Sequence, residues 1–372
     1  MPSSTSSSRR LTAADRPGIA QPVPERDVPD RPWPAMLLGA LLLAVVLVGA
    51  WEWHWRAFGA VPGMVDDDAL WAQQHRRIDA GDGNATVLIG GSRTFFDVQL
   101  PVWERLSGRR PIQLALVGTT PLPVLEELAD DRNFNGQLLI GIAPDLFFSG
   151  YQYRGTAFSY WHKESPSQRV GKLLSMSLVE PWLASYDPDF ALFTVLRRQP
   201  WPHRKDLFEF TDVRKLSVSE ADRNSYMWSK LYTDPDYRAL CRSVWAQQFN
   251  DPPPTPEEAA EDQRTLDEQI TRAAAAVAKL RARGVPVIFV RHPSAGEYLA
   301  YENRVLPRAA AWDVLLAKTA APGVYFEDYP ELSTGYELPE WSHMTPESAN
   351  RYTAALYGIL ERDFPPTGGK RW

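Results

Sequence analysis

Apolar positions in this chain fall into one long block and several short ones. Residues 35–50 are an unbroken uncharged run, AMLLGALLLAVVLVGA, with Trp33 before it and Trp51, Trp53 and Trp55 after it. With the tryptophans it reaches the ~18 residues a bilayer crossing needs, and rings at both ends match an interfacial aromatic belt. The later blocks are short and rich in Val, Ile and Leu: 86–89, 112–117, 137–142, 285–290 and 324–327. Such runs read as buried strands. Helical patterns separate them, at 67–78, 100–106, 121–130, 255–283, 307–318 and 345–362. Thr255 with Glu258 reads as a capping box, and Thr345-Pro346 as the N-cap and first residue of the last helix. Strand and helix in alternation predict an α/β fold with a parallel sheet and crossover helices.

Two segments break the rhythm. Residues 1–34 are rich in Ser, Pro, Arg and Asp and nearly free of large apolar groups. They bury too little surface to offset their ordering entropy and are expected to be a disordered tail. Residues 147–250 are crowded with aromatics, Trp161, Trp182, Trp201, Trp228 and Trp245 among them, and show no clear period. They are expected to be a helical insertion, either shaping a pocket or simply packing on the sheet. The expected organisation is therefore a tail (1–34), an anchor (35–55) and one α/β domain (60–372) carrying that insertion.

Arg9, Arg10, Arg16, Arg26 and Arg31 precede the apolar run, whereas Arg56 alone follows closely. The positive-inside rule then leaves the N-terminus in the cytoplasm and sends the domain across the membrane. A cleaved signal peptide is the alternative, and the long preceding tail argues against it. A core helix is another, and the run has no polar face.

Charge and composition narrow the function. The net charge is −6 with no long basic stripe, which speaks against nucleic acid as a partner. Cys241 is the one cysteine, so no internal disulfide forms. The six histidines lack ligand spacing and no glycine-rich phosphate loop occurs, so neither a metal nor a cofactor is expected.

Candidate chemistry comes from strand ends. In a parallel sheet, Ser92, Gly118, Asp145, Arg291-His292 and Asp328 would gather along one edge, where open α/β sheets bind ligands. Near the other end of the chain, Glu340-Trp341-Ser342-His343 places a carboxylate three residues before a histidine. A serine hydroxyl is a poor nucleophile until a base takes its proton. A histidine suits that task near neutral pH, and a carboxylate on its other nitrogen fixes the tautomer. Ser92, His343 and Glu340 are the candidate catalytic residues, with Asp328 as a second candidate acid. The Ser92 and Gly118 amides are the candidate oxyanion donors. Arg93, Asp145, Arg291, His292 and Asp328 are candidate substrate contacts. Arg93 and Arg291 are as often structural ion pairs, and His292 is more often a packed loop residue than a second base.

Gly91-Ser92-Arg93-Thr94, the strand end Leu116-Val117-Gly118, Val290-Arg291-His292-Pro293 and Glu340-x-x-His343-x-x-Pro346 together resemble the SGNH (GDSL-type) hydrolase superfamily. The resemblance is closest to membrane-anchored extracytoplasmic members similar to DltD and the alginate O-acetylation proteins, and spans roughly residues 86–360 outside the insertion. It implies a flavodoxin-like three-layer α/β/α fold, with Ser92 as nucleophile and His343 as base. It also implies ester hydrolysis or acyl transfer onto a cell-envelope polysaccharide, with a multi-spanning O-acyltransferase as donor-side partner. Three positions depart from the family pattern. Gly91 replaces the usual Asp before the serine, Asp145 stands where an Asn completes the oxyanion hole, and Glu340 replaces the triad Asp. Loss of one oxyanion donor costs ~10²–10³ in rate. The expected activity is thus an envelope O-acyltransferase or esterase. The alternatives are a simple carboxylesterase or deacetylase, and a non-catalytic glycan-binding or scaffold protein. The G-x-S-x-G elbow of α/β-hydrolases fits less well, because Thr94 replaces its last glycine.

Overall fold

A computed structural model of the chain describes residues 30–199, 201, 213–366 and 371–372. The expected tail lies outside the described residues as far as residue 29. The apolar helix runs Trp33–Phe58, longer than expected at both ends, and is long and apolar enough to cross a membrane. Residues 1–50 form one unit and residues 51–372 a second, larger one.

The second unit is α/β. Its main sheet has five strands, all parallel: β1 (Thr86–Ile89), β2 (Ile112–Gln113), β3 (Gln137–Ile142), β6 (Val287–Arg291) and β7 (Gly323–Tyr325). They lie in the order β2-β1-β3-β6-β7. Every residue of β1, β3 and β6 is buried, which is why these strands read as continuous apolar runs rather than alternating ones. β2 is shorter than expected, yet its extension keeps the ladder: Leu114 N donates to Leu88 O and Leu116 N to Gly90 O. β7 ends two residues before Glu327, where the chain tightens into the 3₁₀ turn Phe326–Asp328.

Helices pack in two groups. Pro256–Ala282 lies against Leu122–Asp130, Pro144–Ser149 and Trp312–Thr319, while Pro346–Asp363 lies against Ser92–Asp97 and Leu100–Ser107. The expected caps form. Thr255 and Glu258 make the reciprocal capping box, and Thr345 accepts from Ser348 N ahead of Pro346. Gly108, in the left-handed region, closes Leu100–Ser107.

The segment expected as an insertion holds short helices and a hairpin of β4 (Ser217–Ser219) and β5 (Ser225–Met227). It has its own small core, in which Trp228, Phe190, Tyr237 and Cys241 cluster with Trp55. Buried Arg223 staples the hairpin to the sheet edge. Its guanidinium donates to the carbonyls of Gln113 and Ala115, both at 2.9 Å, and to Asp66 Oδ1 at 2.6 Å.

Candidate active site

β1 ends in a turn with no room for side chains. A Cβ on Gly90 would lie 2.1 Å from Thr94 Oγ1, and one on Gly141 in β3 would lie 1.7 Å from the same atom. Thr94 fills that space because its hydroxyl pairs with His292 Nε2 at 3.1 Å. The two glycines thus let the backbone fold tightly over Thr94, and Ser92 emerges as the first residue of the helix Ser92–Asp97. Ser92 is half-buried, the nearest of the candidate catalytic groups to solvent.

The second half comes from the loop before the last helix. Trp341 adopts the left-handed conformation, φ 73°, which folds Glu340 back over His343. Glu340 Oε1 accepts from His343 N at 2.6 Å and pairs with His343 Nδ1 at 2.9 Å. With Nδ1–H donating to the carboxylate, Nε2 carries the lone pair, and it lies 2.7 Å from Ser92 Oγ. Trp245 Nε1 donates to the other carboxylate oxygen, Oε2, at 2.6 Å. Burial pushes the Glu340 carboxyl up, but the adjacent His343 and these donors outweigh it and hold it below the usual range. His343 itself is buried against Phe96, with ring centroids 4.7 Å apart.

Buried polar groups lock the two halves together. Arg93 donates from Nε to Ser342 Oγ at 3.2 Å and from Nη1 to Glu302 Oε1 at 2.8 Å. Arg291 Nη2 reaches Glu302 Oε2 at 2.7 Å. Despite burial, the two guanidinium groups hold the Glu302 carboxyl below its ordinary value. Asp97 Oδ1 accepts from Met344 N at 2.9 Å, tying the serine helix to the residue after the base. Burial pushes Asp97 up to about 7; the His343 charge and the Met344 amide offset this only in part.

The Ser92 and Gly118 amides are the expected oxyanion donors. The parallel ladder runs Leu114 to Leu88 and Leu116 to Gly90, so its next rung would join the Gly118 amide to Ser92 O. The chain has already turned into a helix at Ser92. Among the described residues, neither the Gly118 nor the Ser92 amide donates a backbone hydrogen bond. Gly118 has φ 60°, and a Cβ there would press on Tyr153 at 3.0 Å.

The other expected contacts are placed differently. Arg93 and Arg291 are buried in the Glu302 cluster, and a guanidinium held by carboxylates inside the protein is not presented to a substrate. His292 is buried too, bonded to Thr94 and, through Nδ1, to Tyr352 OH at 2.9 Å. Burial and the two arginine charges lower it to about 3, so it is neutral and serves packing. Asp328 lies outside the crevice. The 3₁₀ turn rotates it to the surface, where Arg308 grips both oxygens at 2.6 and 2.8 Å, so it does not face His343. Asp145 accepts from Tyr298 OH at 2.8 Å through Oδ2, while Oδ1 is buried with no partner. Burial and the Glu302 charge raise its carboxyl, with Arg93 opposing.

Trp245, Asp97 and Glu302 contribute to the arrangement and were not singled out from sequence. Trp245 was one ring in an aromatic-rich stretch, and its partner lies 95 positions further on. Asp97 left one trace, an acid directly after Phe95-Phe96. Among the described residues, no group of His, Cys, Asp and Glu is arranged to hold a metal ion. No protein-family model matches this chain, and no curated protein matches it.

Proposed function

We propose that this protein is a membrane-anchored, SGNH-like serine O-acyltransferase or esterase, built on a flavodoxin-like three-layer version of its α/β fold. The observation that carries the reading is the continuous relay Ser92 Oγ, His343 Nε2, His343 Nδ1, Glu340 Oε1, at 2.7 and 2.9 Å. In the reaction, His343 Nε2 takes the Ser92 proton as Oγ attacks the acyl carbonyl. The carbonyl π electrons move onto oxygen, which the Ser92 and Gly118 amides receive. Glu340 remains ionised and stabilises the imidazolium. Collapse expels the alkoxide, which takes the proton from His343, leaving acyl-Ser92. An acceptor hydroxyl, deprotonated by His343, then removes the acyl group and restores the serine.

The acceptor in this reading is a hydroxyl of an envelope polysaccharide. The apolar helix holds the chain in the cytoplasmic membrane with its N-terminus inside and the domain outside, and a multi-spanning O-acyltransferase supplies the acyl donor. With water as acceptor the same residues make a carboxylesterase. One observation favours the non-catalytic alternative: Asp145 presents a carboxylate oxygen where the family has an amide donor.

The test uses full-length protein and Ser92→Ala with a fluorophosphonate probe and a small aryl ester. The wild type should label and turn over, and Ser92→Ala should do neither while keeping its thermal stability. Absence of labelling in folded wild type would refute catalysis. Envelope polymers from cells carrying Ser92→Ala should also lose O-acyl groups; unchanged acyl content would leave hydrolysis, not transfer.

A further inference from the structure

The helix Pro166–Leu178 is inverted. Val170, Leu173, Leu174 and Leu178 share one face by their spacing, and they are between 52 and 67 % exposed. The inward side carries Lys172 instead. Its Nζ is buried and donates to Val65 O at 2.9 Å, Glu180 Oε1 at 3.0 Å and Asp67 Oδ2 at 3.2 Å. Trp182 and Phe193, further along the same segment, are 68 and 77 % exposed. Large apolar side chains exposed in such number mark a place that something covers.

Its position in the chain's own contacts says what covers it. Ala184 N and Ser185 N donate to the two carboxylate oxygens of Glu52, both at 2.9 Å. Arg56 Nη2 donates to Trp182 O at 2.9 Å, and Trp51 Nε1 to Phe190 O at 3.1 Å. Trp51 and Glu52 directly follow the apolar run 35–50 on the same continuous helix. Whatever bilayer that run enters therefore begins within about one helical turn of Glu52.

We infer that the exposed side chains Leu173, Leu174, Leu178, Trp182 and Phe193 seat in the headgroup–acyl boundary of that bilayer, as a second attachment in addition to the spanning helix. The occupant is lipid. The apolar side chains lie outward, the polar groups that pin the helix lie inward, and hydrogen bonds tie residues 182–190 to Trp51, Glu52 and Arg56, just past the apolar run. An in-plane amphipathic helix of this type sinks ~5–10 Å into the boundary. The inference does not depend on the catalytic reading.

The experiment places nitroxide labels on full-length protein in a Cys241→Ser background, reconstituted in phosphatidylcholine–phosphatidylglycerol vesicles. Labels go on Leu174→Cys and Phe193→Cys, with Val45→Cys in the apolar run and Leu106→Cys on an unrelated exposed helix as references. Collisions with oxygen and with a water-soluble nickel chelate are measured. The expected result is that labels at 174 and 193 meet oxygen and are shielded from nickel, as at 45, while 106 meets nickel. Nickel access at 174 and 193 equal to that at 106, with 45 still shielded, would overturn the docking and leave the anchor standing. Shielding from both reagents would show that protein, a second copy of this chain, covers the face, and would overturn the lipid assignment. Nickel access at 45 would overturn anchor and docking together.

Discussion

Replacing Trp245 by Phe removes one atom of chemistry from the site. The ring stays large enough to pack edge-on against His343, 6.4 Å away, but Glu340 Oε2 loses the donor it holds at 2.6 Å. Glu340 is fully buried, and a phenyl ring offers no donor in place of the indole N–H. A hydrogen bond to a charged group contributes ~1.5–3 kcal/mol. The sign follows from linkage. Glu340 is held below its ordinary value, so its stabilising contribution is present above the unfolded-state Glu value and is lost as pH falls through the lower folded one. Without Trp245 the folded value rises and the contribution shrinks. At neutral pH the variant should be less stable by ~1.5–3 kcal/mol, roughly a 3–12 °C drop in Tm on the scaling of 150–250-residue domains. Kinetics should separate two effects. The indole bonds to the carboxylate before and during the reaction, so plateau kcat should fall less than about tenfold. The acid limb of kcat/KM against pH belongs to the Glu340–His343 pair, and it should move to higher pH, because a less stabilised carboxylate favours a proton on the pair. The assay is aryl-ester turnover across pH with thermal unfolding alongside. An unmoved acid limb with unchanged Tm would refute the claim that the indole holds the acid.

Asp97, raised to about 7 by burial with His343 opposing, keeps its proton in the folded protein up to about pH 7, whereas the unfolded carboxyl loses it near pH ~4. The stability this gives is present below about pH 4 and lost as pH rises through about 7, so Asp97→Asn should flatten the dependence and exceed wild type at pH 8; parallel Tm profiles at pH 5 and 8 would refute this. Gly141→Ala places a Cβ 1.7 Å from Thr94 Oγ1 and should cost ~1–3 kcal/mol or more. Adding Thr94→Ala should recover part of that loss, a coupling of ~0.5–3 kcal/mol in a double-mutant cycle; strict additivity in chemical unfolding would refute the clash.

What was legible in the sequence were groups whose surroundings are local. β1, β3 and β6 stood out because strands covered on both faces are apolar throughout, and Thr255 and Thr345 because a cap needs only its own first turn. The pairing of Glu340 with His343 was legible for the same reason, since both sit in one tight loop. An ion-pair role was open for Arg93 and Arg291, but not its partner, because Glu302, which pairs with both, lies 209 and 11 positions away and carries no mark in sequence. Asp328 was expected at the crevice, but the strand gives way early to a 3₁₀ turn and Asp328 pairs with Arg308 at the surface instead. The insertion showed no clear period because its described residues are cut into short helices, 3₁₀ turns and a hairpin, most too brief to repeat a pattern.

One oxygen, Glu340 Oε1, takes both the main-chain and the ring hydrogen of the same residue, His343. Acid and base are therefore oriented to each other inside one loop, while the Arg93–Ser342 and Asp97–Met344 bonds tether that loop to the serine helix. Loosening either tether should lengthen the Ser92–His343 distance before it disturbs the Glu340–His343 pair.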